Sequence, residues 1–66
     1  MSITVNGETE THRGTIADLL ATRLADPCPR GVAVAVGGVV VPRADWPRRR
    51  LVEGDVVEVV TAVQGG

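Results

Sequence analysis

Val56-Val57-Glu58-Val59-Val60-Thr61-Ala62-Val63-Gln64-Gly65-Gly66 closes the sequence. Its first part is a β-branched apolar run, the composition that fits a pleated, half-buried strand. Glu58 sets the faces, because an unpaired carboxylate is costly to bury. Side chains alternate along a strand, so Val57 and Val59 are expected to face the core. Val56, Glu58 and Val60 then share the opposite face. A strand this apolar belongs in the middle of a sheet, beside the first strand. From there it would anchor the segment Ala62-Val63-Gln64-Gly65-Gly66, an uncharged lead with paired glycines at its tip. Glycine lets a backbone pass close to another surface. The entropy lost in ordering such a tip is offset only if something binds it. The expectation is a folded domain over residues 1–61 and a flexible C-terminal tail over 62–66. The Gly66 carboxylate is then the working group, offered to the buried active sites of other proteins.

The chain before this strand supplies one small domain. Ile3 and Val5 alternate with Ser2, Thr4 and Asn6, the period of a half-buried strand. Asn6-Gly7 is a strong signal for a two-residue hairpin, since both turn positions need positive φ. Glu8 to His12 reads as the return strand, an edge whose charges discourage pairing with another chain. Thr15 opens a helix, and Asp18 three residues on makes a variant of the capping box. Ile16, Leu19, Leu20 and Leu24 form one apolar stripe, with Asp18, Thr22 and Arg23 on the wet side. Pro27 and Pro29 are expected to end the helix. Val32, Val34 and Val36 alternate with Ala33 and Ala35 as a third strand. Gly37-Gly38 turns into a short fourth strand, Val39 to Val41, which Pro42 stops. Ala44-Asp45-Trp46-Pro47 reads as an irregular or 3₁₀ turn. Leu51 points inward, and Glu53-Gly54-Asp55 turns into the last strand.

Composition narrows the function classes. A chain of 66 residues buries only about 60% of its unfolded surface and leaves little room for a deep catalytic pocket. Thirteen valines and no Phe or Tyr favour sheet. A net charge of −1 does not suggest a nucleic-acid partner. Apolar runs are too short for a membrane helix, which needs about 20 residues. No signal peptide is visible and Cys28 has no partner cysteine, so a cytoplasmic protein is expected. All seven basic residues are Arg, so no side-chain amine could attack an activated carboxyl terminus. Biased coding also replaces Lys with Arg.

Other reactive side chains are given ordinary roles. Cys28 lies between two prolines with no base nearby in sequence. His12 has no second ligand, so no metal site is expected. Arg48-Arg49-Arg50 reads as a solvated turn, and Trp46 as a core or edge-packing residue.

In this order and spacing the segments resemble the ThiS-type sulfur carriers of thiamine biosynthesis, a ubiquitin-like family. The resemblance rests on Ile3-Thr4-Val5-Asn6-Gly7-Glu8, Thr15-Ile16-Ala17-Asp18-Leu19-Leu20 and Val34-Ala35-Val36. Val40-Val41-Pro42-Arg43 with Asp45-Trp46, Glu53-Gly54-Asp55 and the closing Val59 to Gly66 complete it. It implies an α+β ubiquitin-like β-grasp, a mixed sheet of four to five strands with one helix across one face. It also implies that Gly66 is adenylated by an ATP-dependent enzyme similar to ubiquitin-activating enzymes and converted to a thiocarboxylate. The sulfur would come from a cysteine desulfurase or rhodanese-type protein and pass to thiazole synthase. Ala62, Val63, Gln64 and Gly65 would enter the partners' active sites, while Val56, Glu58 and Val60 form a docking face. The chain itself would bind no cofactor, catalyse nothing and act as a monomer. Alternatives are a carrier for molybdopterin or cysteine synthesis, or a ubiquitin-like modifier. The tail Thr61-Ala62-Val63-Gln64 fits the thiamine group better, and it lacks the Arg that precedes the glycines in ubiquitin-type tails.

Overall fold

In the computed structural model, which describes residues 1–61, Asn6 and Gly7 both have positive φ, 51° and 84°. They join β1 (Ser2–Val5) to β2 (Glu8–Thr11) with Val5 opposite Glu8, the hairpin the dipeptide predicts. The helix α1 (Ile16–Leu24) follows, then β3 (Val32–Val36), β4 (Val39–Val41), a 3₁₀ turn over Arg43–Asp45 and β5 (Val56–Thr61). The five strands lie in the order β2-β1-β5-β3-β4. β1 and β5 run parallel; the other neighbours are antiparallel. With one helix on one face, this is the ubiquitin-like β-grasp, and β5 is central as its composition predicts.

One core lies between helix and sheet. Ile16, Ala17, Leu19 and Leu20 of α1 meet Ile3, Val5, Val32, Val34, Val36 and Val57, with Trp46 and Leu51 closing the far side. Val59 packs partly buried against the same cluster. Inward valines of β3 and β5 thus follow the alternation, and Leu51 turns inward as expected.

The helix start is built as its sequence indicates. The Thr15 backbone amide donates to Asp18 Oδ2 at 2.9 Å, and the Asp18 amide donates to Thr15 Oγ1 at 3.2 Å. This reciprocal cap satisfies amides that the helix itself leaves open. It also holds the Asp18 carboxyl below its ordinary pKa, chiefly through the Thr15 backbone amide and then the Thr15 hydroxyl. A depressed folded-state pKa means that the charged carboxylate stabilises the fold above the unfolded value. That contribution disappears as pH falls through the folded value. Thermal melts of the wild type and Asp18→Asn should therefore differ most at neutral pH and converge below about pH 4. A constant difference down to about pH 2 would refute this role.

Gly14, just before the cap, is buried with φ 122°. A Cβ there would run into the Asp18 carboxylate, so the glycine makes room for the cap. The same segment is tied to the far loop: Leu51 donates to Gly14 O at 2.9 Å and Ile16 to Arg49 O at 3.0 Å.

The end of the helix departs from expectation. It stops at Leu24, and Ala25 adopts a left-handed conformation with φ 59°, two residues before Pro27. The chain has already left the helical path when the prolines arrive. Leu24 is consequently 42% exposed, not part of the buried stripe, because no further helical turn packs beside it. Arg23 on the wet side pairs with Glu10 of β2.

Candidate functional site

β5 is hydrogen-bonded along both edges where it enters the sheet. On one side Thr4 donates to Asp55 O and Asn6 to Val57 O, both at 2.9 Å. On the other, Val57 through Thr61 pair with Val36 through Val32 of β3. The strand that leads to the predicted tail is therefore held between two neighbours. Ala62, Val63, Gln64, Gly65 and Gly66 lie outside the described residues.

Val56 and Val60 are 50% and 61% exposed, and Glu58 between them is exposed as well. The three lie on the sheet face away from the helix, as the alternation requires. The register adds residues that strand alternation alone does not identify. Ala35 sits opposite Glu58 and Ala33 opposite Val60; Val40 of β4, 69% exposed, sits opposite Ala35. Small alanines between larger valines leave a shallow apolar surface crossing three strands, with one carboxylate in it. The signal was present in the Val-Ala alternation of β3, but its alignment with β5 is a tertiary fact.

A further residue missed from sequence is Asn6. Its Nδ2 donates to Val59 O at 3.2 Å, and Val59 N donates to its Oδ1 at 2.8 Å.

The other candidate side chains are drawn elsewhere. His12 Nε2 lies 3.2 Å from the Thr15 carbonyl oxygen, which can only accept. The Cys28 sulfur accepts from Arg43 Nη2 at 3.1 Å, and the same guanidinium bonds Cys28 O and Pro29 O. Arg49 donates to Arg50 O at 2.6 Å and faces Asp55 at 3.9 Å, while Arg48 and Arg50 are exposed. An exposed pair of this kind contributes about 0–1 kcal/mol. Among the described residues there is no pocket and no grouping of three or more His, Cys, Asp or Glu side chains that could hold a metal. No helix among them is long and apolar enough to cross a membrane.

The ThiS family model matches residues 3–66. The chain belongs to the ThiS family. The crystal structure of a thiamine biosynthesis protein (ThiS) from Geobacter metallireducens is similar over the whole of both chains, with 28% identity and a TM-score of 0.79. A solution structure of a thiamine biosynthesis protein from the same organism gives 27% identity and a TM-score of 0.78 over all of this chain and 88% of the other. A comparison with curated proteins returns no match. The family and fold implied by the Asn6-Gly7, Thr15–Leu20 and Val40–Trp46 segments are thus the ones found. ThiS-family membership supports a sulfur carrier in thiamine biosynthesis.

Proposed function

We propose that this ThiS-family chain carries sulfur for the thiazole ring of thiamine, as a thiocarboxylate on Gly66. The supporting observation is the family match, which extends through the closing glycines to residue 66. The fold is consistent with it: the strand preceding the tail is the central one, so the body is a firm handle for the terminal acyl group.

A carboxylate resists nucleophilic attack at neutral pH. An adenylating enzyme would bring the Gly66 oxygen in line with the α-phosphorus of ATP. The oxygen attacks, pyrophosphate leaves, and an acyl-adenylate forms. Holding the atoms in line is a positioning task. The terminal sulfur of a persulfide on a cysteine desulfurase or rhodanese-type protein then attacks the carbonyl carbon and AMP departs. A thiol reductant cleaves the resulting acyl disulfide, leaving the donor cysteine in a disulfide with that thiol. The resulting thiocarboxylate presents its sulfur in the ionised, nucleophilic form to thiazole synthase. Every catalytic side chain belongs to a partner, and this chain is a protein-sized substrate. Ala62, Val63, Gln64 and Gly65 would thread the partner's passage, where bulk and charge would obstruct. Val56, Glu58 and Val60, extended by Ala33, Ala35 and Val40, would dock the body. Such a surface fits a partner that offers apolar side chains and a cation opposite Glu58.

The test is the intact mass of the chain after incubation with ATP, the adenylating enzyme and a sulfur source. Exchange of one carboxyl oxygen for sulfur at Gly66 is expected, and the same measurement checks that Gly66 is the last residue. An unchanged mass, or a conjugate to another protein's amine, overturns the reading.

A further inference from the structure

We infer that Asn6 is a positioning residue for the terminal acyl group, because its side-chain amide takes the place of a missing stretch of β1 beside the final strand. β1 pairs with β5 only through Thr4 opposite Val56 and Val5 opposite Val57. The chain then turns away into the hairpin, while β5 runs on to Thr61. Val59 therefore presents its N–H and C=O toward a strand that has already left.

The Asn6 amide fills that gap with one donor and one acceptor. Val59 N donates to Asn6 Oδ1 at 2.8 Å and Asn6 Nδ2 donates to Val59 O at 3.2 Å. The Asn6 backbone amide reaches Val57 O at 2.9 Å, so one residue grips β5 at two successive residues whose backbone groups face the β1 side. Two demands coincide on it. The turn needs a residue that tolerates φ 51°, which asparagine does better than most. The gap needs a side chain that both donates and accepts, which Asn offers and Asp or Gly does not. Val59 stands two residues before Thr61, and after Thr61 the tail begins. The clamp thus holds the β1-side edge of a strand end that otherwise pairs only with β3, through Thr61, and steadies the point from which the acyl group is offered.

This inference rests on the proposed carrier function, and two readouts separate them. Asn6→Gly keeps a turn-competent residue and removes the clamp. In amide hydrogen exchange, the Val59 amide should exchange roughly tenfold faster, the scale of one lost hydrogen bond. The Val34 and Ile3 amides should keep their protection. In adenylation kinetics, kcat should fall by about threefold to tenfold because the acyl group is aimed less well. KM should stay unchanged, since the docking face is untouched. Asn6→Asp retains the acceptor for the Val59 amide and should recover part of kcat. Thr15→Ala destabilises the fold through the helix cap and should leave kcat at the wild-type value. Unchanged Val59 exchange, a wild-type kcat in Asn6→Gly, or an equal fall in Thr15→Ala overturns the positioning role while the carrier reading stands. A wild-type chain that is never adenylated overturns both.

Discussion

Deleting Gly66 should abolish sulfur loading and leave the folded body unchanged. The chain advances about 3.3–3.6 Å per extended residue, so the deletion withdraws the carboxylate by that distance from the phosphorus it must attack. Reacting atoms need to approach within about 3–3.5 Å, and a misplacement of about 1 Å can cost a hundredfold in rate. A loss well beyond a hundredfold is therefore expected in thiocarboxylate formation, read by intact mass and by pyrophosphate release. Adding one residue after Gly66 should be as damaging, because the carboxylate then overshoots. Gly66→Val keeps the length but places a β-branched side chain beside the reacting carbon, and should fail as well. The buried cluster runs from Ile3 to Val57, with Val59 packed on it, so all three variants should melt with the wild type. Sulfur loading of the shortened chain at the wild-type rate would end the carrier reading.

The division between what the sequence discloses and what it withholds depends on the range of the interactions. Asn6-Gly7, the Thr15–Asp18 cap and the Val-Ala alternation act between near neighbours, and each appears where the local chemistry puts it. The central place of β5 was legible too, because a strand with alternate valines on both faces suits a position with partners on each side. Leu24 escapes the apolar pattern because it is the last residue of the helix, where no further turn packs beside it. The stop itself left little trace, since the left-handed residue is Ala25 rather than the glycine that commonly takes that conformation. The prolines that announced an end stand after it.

The site was half legible for the same reason. Val56, Glu58 and Val60 are one strand's outward residues, and alternation alone identifies them. Ala33, Ala35 and Val40 join them only through the register of β3 with β5 and β4. Asn6 was readable as a turn residue, but its side-chain partner Val59 is 53 positions away. A residue that serves a local turn and a distant strand at once shows only its local role in a linear reading.

Trp46→Ala should remove most of the domain's stability. Trp46 is 1% exposed and the largest side chain in the core. Its Nε1 donates to Val41 O at 3.0 Å, its carbonyl accepts from Ala17 N at 3.1 Å, and the Arg43 guanidinium lies 5.5 Å from its ring centre. The residue therefore joins the end of β4, the 3₁₀ turn and the first turn of the helix. Truncating a buried Trp to Ala costs about 3–5 kcal/mol. At about 0.05–0.15 kcal/mol per residue, a chain of 66 residues has roughly 3–10 kcal/mol in total. The variant should melt about 12–40 °C lower or be unfolded at room temperature, at about 4–8 °C per kcal/mol for a domain this small. Trp46→Phe keeps a ring but loses the indole bond to the Val41 carbonyl, which still pairs with β3, and should cost less, about 0.5–1.5 kcal/mol for that bond. Trp46 is the only aromatic residue, so the melts are followed by far-ultraviolet circular dichroism rather than fluorescence. A Trp46→Ala chain that melts within a few degrees of the wild type would show that helix, turn and β4 are held together by something other than this side chain.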